Sequence, residues 1–343
     1  MHAIHDSAGL WTLAWRRLRA DRVAMAALAL VAAFLLLLGA SASGLVAADW
    51  EEEVAVNYAP PTFAARREAP ASAAMPAVPG STPAAAPPAN EFDPLADDLR
   101  ELRVTLGKAV AEPAAERAPS LPFGADKWGH DIIKKTIKGG ETSIVVGLAA
   151  ATLAVGLGTL LGAVSGFYGG LVDDLFNWFY NVFTSIPSVL MILTVAAVLQ
   201  QKGVLTIVLI LGLTGWTGPY RLIRAEYIKH KAREYVMAAD AIGASAWRKM
   251  FSHIFPNVSH VALVQVSILV VGFIKAEVIL SFLGFGVPVG VVSWGSMLNE
   301  AQTELILGKW WQLAAAASSM ALLVTAFSLF ADALRDALDP KVK

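Results

Sequence analysis

The chain has 343 residues, of which 56% are hydrophobic and only 16% charged, and its formal net charge is -1. Soluble domains carry roughly 25% charged residues, so this chain cannot clothe a water-facing surface of its own size, and disorder, which needs low hydrophobicity and high charge, is excluded with it. The missing basic excess argues against nucleic acid as a partner, and the absence of cysteine removes disulfides, thiolate metal sites and cysteine nucleophiles.

A membrane-crossing helix needs about 20 predominantly apolar residues. Runs free of Asp, Glu, Lys and Arg predict an all-α, polytopic membrane protein with six transmembrane helices, in chain order 23–47, 142–167, 174–200, 204–222, 257–283 and 310–333. The first run follows Arg16, Arg17, Arg19 and Arg22, and its Ala40-Ser41-Ala42 is similar to a signal-peptidase site. Signal-peptide cores are only about 7–15 residues long, so this longer run reads as an uncleaved anchor. Between it and the second span lies a long segment, 48–140, in which 20 of the 31 residues from Ala59 to Ala89 are Ala or Pro. That composition predicts an extended tether, followed by a charged, weakly amphipathic stretch at 91–117.

The second span carries Gly147, Gly156, Gly158, Gly162 and Gly166, a spacing that lets helices approach closely, within the chain or against a second subunit. Spans three and four are divided only by Lys202, and Pro187 and Pro219 are expected to kink them. Lys275 and Glu277 interrupt the fifth span. Ionisable groups in a span usually face a cavity or snorkel to the interface, so the pair is a candidate lining for a translocation path or a pair of interfacial charges. In the run 278–299, Gly284, Gly286, Pro288 and Gly290 predict a loop over the second half.

Lys and Arg in short loops set orientation. With both termini in the cytoplasm, the inner side holds the four N-terminal arginines, seven basic residues from Arg221 to Lys249, and Arg335, Lys341 and Lys343; the short outer loops hold Lys202 and Lys309. The chain therefore divides into a cytoplasmic tail at 1–22, the first span, the extracytoplasmic segment 48–140, a core region at 141–334 with five transmembrane helices and the inner loop 221–257, and a cytoplasmic tail at 335–343.

That inner loop is the most specific feature. Tyr235, Val236, Ala239 and Ile242 fall at helical spacing before Gly243, which allows a sharp turn, and Ala244 to His253 reads as a second short helix ending before Pro256. The pattern resembles the EAA motif of ABC-importer membrane subunits, E-A-A-x3-G-x9-I-x-L-P. Ala238, Ala239, Gly243 and Pro256 match in register, whereas Met237, His253 and Phe255 depart from it. The stretches LPFGADKWGHDIIKKTIKGGETSIVVGL at 121–148, GFYGGLVDD at 166–174, ILSFLGFGVPVGVVSWGSMLNEA at 279–301 and ALRDALDPK at 333–341 are similar to the C-type permease of the dipeptide/oligopeptide branch.

The resemblance implies a type I ABC importer permease fold in a bacterial inner membrane. It implies a peptide as substrate, and as partners a homologous second permease subunit, two ATP-binding subunits and an extracytoplasmic solute-binding protein. Ala238, Ala239 and Gly243 would form the docking elbow for an ATP-binding subunit, and Pro256 would set the start of span five. Because the motif Glu is replaced by Met237, Glu234 or Asp240 is expected to supply the polar contact. No P-loop, G-x-S-x-G or H-E-x-x-H occurs, so the chain is expected to be non-catalytic and to hold no cofactor, with ATP and Mg on the partner subunits. His253 and His260 lack a third ligand for a metal. Nickel, opine, glutathione and peptide-antibiotic importers share these motifs. A secondary transporter, which would need intramembrane ion ligands, and a membrane-anchored scaffold are the readings from other classes.

Overall fold

The computed structural model describes residues 10–65 and 117–338, in two units: residues up to Trp50 together with Ile133 onward, and Glu51–Ile132. In the first unit, α1 (Leu10–Ala20) and α2 (Arg22–Ala42) are separated by Asp21, whose carboxylate accepts from the amides of Val23 and Ala24 at 2.8 and 3.2 Å. This cap satisfies two of the donors that a helix start leaves open. In the second unit, α3 (Thr62–Ala65) is the only helix among the described residues, and isolated bridges pair Ala55 with Ala118 and Pro61 with Leu121 over a small core of Ala55, Ala59 and Ala125. The Asp126 carboxylate accepts from the amides of Trp128 and His130, which turns the chain tightly. Gly129, at φ +90°, lies against the Ala55 carbonyl with no room for a side chain. Beyond Ala65 the Ala/Pro-rich tether, and up to residue 116 the 91–117 stretch, lie outside the described residues.

The helix α4 (Ile132–Tyr168) is 37 residues long, about 55 Å at 1.5 Å per residue, so it begins ten residues before the predicted span and outreaches a hydrocarbon core of about 30 Å. The third predicted span is broken: α5 (Gly170–Thr184) and α6 (Ser188–Leu199) meet at 84°. Pro187, extended at ψ 129°, stands at the break, where it has no amide hydrogen to donate and bars its predecessor from helical geometry. The fourth is also interrupted. α7 (Val204–Thr214) stops at Gly215, and α8 (Thr217–Lys231) restarts after Trp216. Pro219 therefore lies in the first turn of a helix, where its missing donor does little harm, rather than kinking the middle of one.

After α9 (Glu234–Ala241) and a turn, the chain runs helically from Ala246 to Phe282: α10 (Ala246–Arg248), a π-helical segment (Lys249–Ile254) and α11 (Phe255–Phe282). The loop expected in the second half of 278–299 is confined to 283–293. Ser293 and Ser296 then form a capping box that starts α12 (Trp294–Ile306), and α13 (Trp311–Leu338) follows. The six-span expectation is thus not reached by length. Among the described residues, four helices are long and apolar enough to cross a membrane, five if the bent α5–α6 pair counts as one, and α7 has only 11 residues.

The main core holds Ile144, Leu211, Phe273, Ile274, Trp294 and Phe327. The α4 glycines explain how α8 is seated. A methyl group at Gly158, Gly162 or Gly166 would lie 2.6–2.7 Å from the carbonyl oxygens of Trp216, Tyr220 and Arg224 respectively. The four-residue spacing on α4 thus meets a four-residue spacing on α8, backbone against backbone, within one chain. Gly147 instead makes room for the Ile274 side chain on α11, whose Cγ1 would lie 2.5 Å from an added methyl group, while Gly156 faces open space.

Candidate functional site

α8 carries the chain into the 221–257 segment. The Arg224 guanidinium grips Asp173 through two of its three nitrogens, Nε at 2.6 Å and Nη2 at 2.5 Å. Ser165 also donates to Asp173 and shares a 2.9 Å hydrogen bond with Tyr220, so α4, α5 and α8 meet in one polar knot. Bidentate charged contacts of this kind fix orientation as well as distance.

From there α9 leans on a second core formed by Phe167, Ile223, Tyr227, Met250 and Ile254, into which Val236 projects. Val236 and Ala239, three residues apart, are its two buried residues. The rest of the helix is turned away: Met237 is 56% exposed, and Glu234, Ala238 and Asp240 are exposed as well. Ile242, 83% exposed, and Trp247, 63% exposed, extend this apolar surface past the turn. Gly243 makes that turn at φ +79° with open space where a side chain would stand.

Three ties hold the elbow. The Asp240 carboxylate pairs with Lys249, and Lys249 and Lys231 lie 5.8 and 5.6 Å from the Phe167 ring centre. The Tyr227 hydroxyl donates to the Met250 carbonyl at 3.1 Å. His230 Nδ1 and the Tyr235 hydroxyl are 2.8 Å apart. Burial pushes His230 below the ordinary imidazole range and Tyr235 above the ordinary phenol range, which keeps that contact neutral near pH 7.

Pro256 does not end a helix, as the spacing predicts, but sits in the first turn of α11 within a continuous one. Lacking an amide hydrogen, it cannot donate to the carbonyl four residues back. The helix widens just before it, and the Phe255 amide reaches back five residues to the Met250 carbonyl. That carbonyl is the one Tyr227 also binds, so the π-helical turn and the elbow share an anchor.

Of the sequence-predicted site residues, Ala239 faces inward while Glu234, Ala238, Asp240 and Gly243 lie at the surface. Sequence reasoning missed Met237, Ile242 and Trp247 as an exposed apolar set, although a Trp in a charged loop was a visible signal. It also missed the Arg224–Asp173 pair, whose members are 51 residues apart.

The two charges of the fifth span separate. Lys275 is exposed on α11, whereas Glu277 is fully enclosed, accepting from the hydroxyls of Ser143 and Ser281, each at 2.6 Å. The Trp294 amide donates to Ser143 Oγ at 3.3 Å, so this cluster joins α4, α11 and α12. Among the described residues there is no group of three or more His, Asp or Glu placed to hold a metal ion.

Residues 158–343 match the binding-protein-dependent transport system inner membrane component family, and residues 9–61 match the N-terminal TM domain of oligopeptide transport permease C. Three relatives are similar over about two thirds of the chain. The oligopeptide transport system permease protein OppC of Bacillus subtilis is 36% identical over 67% of this chain and 75% of its own length. The dipeptide transport system permease protein DppC of the same organism is 35% identical over 64% of this chain and 69% of its own. OppC of Haemophilus influenzae is 34% identical over 64% and 70%. With its apolar helices and more than half its length matched, the chain belongs to the family of binding-protein-dependent transport system inner membrane components and is a multi-pass membrane protein.

Proposed function

We propose that this chain is the permease subunit of an ATP-driven ABC importer for peptides, forming half of a translocation path. It pairs with a homologous second permease, two ATP-binding subunits that carry ATP and Mg, and an extracytoplasmic solute-binding protein. Both termini lie in the cytoplasm. The bent α5–α6 pair and α7 with α8 each make one crossing, which completes six. The similarity to OppC and DppC permeases supports the peptide substrate.

The observation that carries the coupling assignment is the two-faced elbow. Val236 and Ala239 anchor α9 to the bundle, while Met237, Ala238, Ile242 and Trp247 present apolar surface outward. Exposed apolar surface on a charged segment marks a protein contact, and here the contact is the ATP-binding subunit. Asp240 is held by Lys249, so Glu234, exposed in the first turn of α9, supplies the polar contact that Met237 does not. Lys275 faces the path, and Glu277 behind it holds the helices that line the path through Ser143 and Ser281.

The test is purification of the tagged chain from its native membrane, with the co-purifying subunits identified. A nucleotide-binding subunit is expected with the unaltered chain, and its recovery should fall at least tenfold in a Met237→Asp, Trp247→Asp variant that inserts normally. An intact chain isolated without such a subunit, or undiminished recovery in the variant, would overturn the assignment.

A further inference from the structure

An apolar cavity of about 310 Å³ lies where α1 crosses α2, α11 and α13, within the roughly 300–1,000 Å³ range of small-ligand sites. It is lined by Trp15, Leu18, Leu28, Leu263, Phe330 and Leu334; its one polar lining residue, Ser267, has its hydroxyl bonded to the Leu263 carbonyl at 3.2 Å. Nothing in the lining recognises a polar ligand. Its rim is different. Arg19 lies 5.8 Å from the ring centre of Trp15, the same side chain that walls the cavity, and Arg16 and Arg22 are exposed nearby in sequence.

α1 is two-sided at helical spacing. Ala14 and Leu18 are buried against α13, and Arg16 and Arg19 face away. It contains no acidic residue, and the adjacent Asp21 is committed to capping α2. The acidic groups on the neighbouring end of α13 are Asp332 and Asp336, with Arg335 between them. A basic, Trp-bearing amphipathic helix lies in the headgroup region of a bilayer, where anionic lipid attracts it.

We infer that α1 and the cavity beneath it form a binding site for an anionic phospholipid of the inner leaflet, with Arg16 and Arg19 on the phosphate and one acyl chain entering the cavity beside Trp15. The combination selects the occupant. A soluble anion would use the arginines and leave the cavity unfilled, and a neutral lipid would use the cavity and leave the arginines unpaired. The inference rests on the proposed orientation, which places α1 on the cytoplasmic side.

The full chain is reconstituted in vesicles containing phosphatidylglycerol or phosphatidylcholine with brominated acyl chains, and quenching of tryptophan fluorescence is measured against a Trp15→Phe variant. The Trp15-dependent quenching should be at least threefold stronger with brominated phosphatidylglycerol. Arg16→Gln with Arg19→Gln should abolish that preference, and Ser267→Phe, which fills the cavity, should remove Trp15 quenching by either lipid. Equal quenching by the two lipids, a preference that survives the arginine substitutions, or no Trp15-dependent quenching because protein covers the cavity, would each overturn the site. Because the chain lacks cysteine, labelling of a Ser7→Cys variant from either side of the vesicle reports the orientation separately.

Discussion

Gly243 shows how one residue joins backbone geometry to partner contact. Its φ of +79° is open to glycine but costs most other residues about 1–2 kcal/mol, and a Cβ added there meets nothing beyond its chain neighbours within 4 Å. Gly243→Asp, whose new side chain tolerates the left-handed region, carries no greater backbone cost there than Gly243→Ala, and it adds a charge on the outward apolar surface. The expected result is that both insert, that Ala retains at least half of ATP-coupled uptake in the assembled transporter, and that Asp loses more than nine-tenths while ATP hydrolysis continues. Equal uptake by the two variants would remove the docking role from this surface. The motif made Gly243 legible in the sequence. Glu277 was legible only as an ionisable residue in an apolar run, because its enclosure depends on Ser143, 134 residues away, and no local pattern reports that partner.

At the scale of elements, hydropathy succeeded where apolar runs were long and missed the interruptions within them, although Pro187 marked one as an expected kink and the chain does bend there by 84°. α2, α4, α11 and α13 follow from hydropathy alone, since each is a continuous run with 18 or more apolar-rich residues. The break at Pro187 and the restart at Trp216 interrupt runs whose composition does not change across them, so hydropathy cannot see them. The glycines of α4 were visible, but not that α8 would be the helix they admit. Pro256 was read as a stop, whereas packing of Met250 and Ile254 into the Phe167–Tyr227 core holds the helix together through it and leaves a π-helical turn in its place. Pro256→Ala restores the missing donor, so residues 249–254 can tighten to ordinary α-helical pairing. That rotates the preceding turn against α11 and displaces the Met250 carbonyl from Tyr227. Faster hydrogen exchange across Glu234–Ala241, by at least tenfold, is expected with little change in the rest of α11. Unchanged exchange in α9 would show that the widened turn and the elbow are independent.

For the whole molecule the decisive issue is how many times the chain crosses the bilayer. Among the described residues four helices suffice by length, a fifth crossing needs α5 and α6 to act together across an 84° bend, and a sixth needs the 11 residues of α7 to be extended by the start of α8. At about 1.5 Å per residue, α7 alone spans about 16 Å, roughly half a hydrocarbon core of about 30 Å. Two hydrogen bonds close the turn between α7 and α8: the Gly215 amide donates to the Leu211 carbonyl at 2.9 Å and the Tyr220 amide to the Trp216 carbonyl at 3.0 Å. Bonded in this way, and packed against the α4 glycines rather than lipid, irregular backbone is tolerated at membrane depth. Six crossings place Lys202 outside and Trp247 inside; if α7 turned back without crossing, both would lie on one side. Cysteines introduced singly at Lys202, Trp247 and Lys309 give a direct reading, since the chain has none of its own. A membrane-impermeant thiol reagent added to intact cells should label Lys202→Cys and Lys309→Cys and should reach Trp247→Cys only after permeabilisation. Labelling of Trp247→Cys in intact cells, or protection of Lys202→Cys until permeabilisation, would reduce the count. Either result would also move the apolar elbow away from any cytoplasmic ATP-binding subunit or leave α7 outside the crossing set.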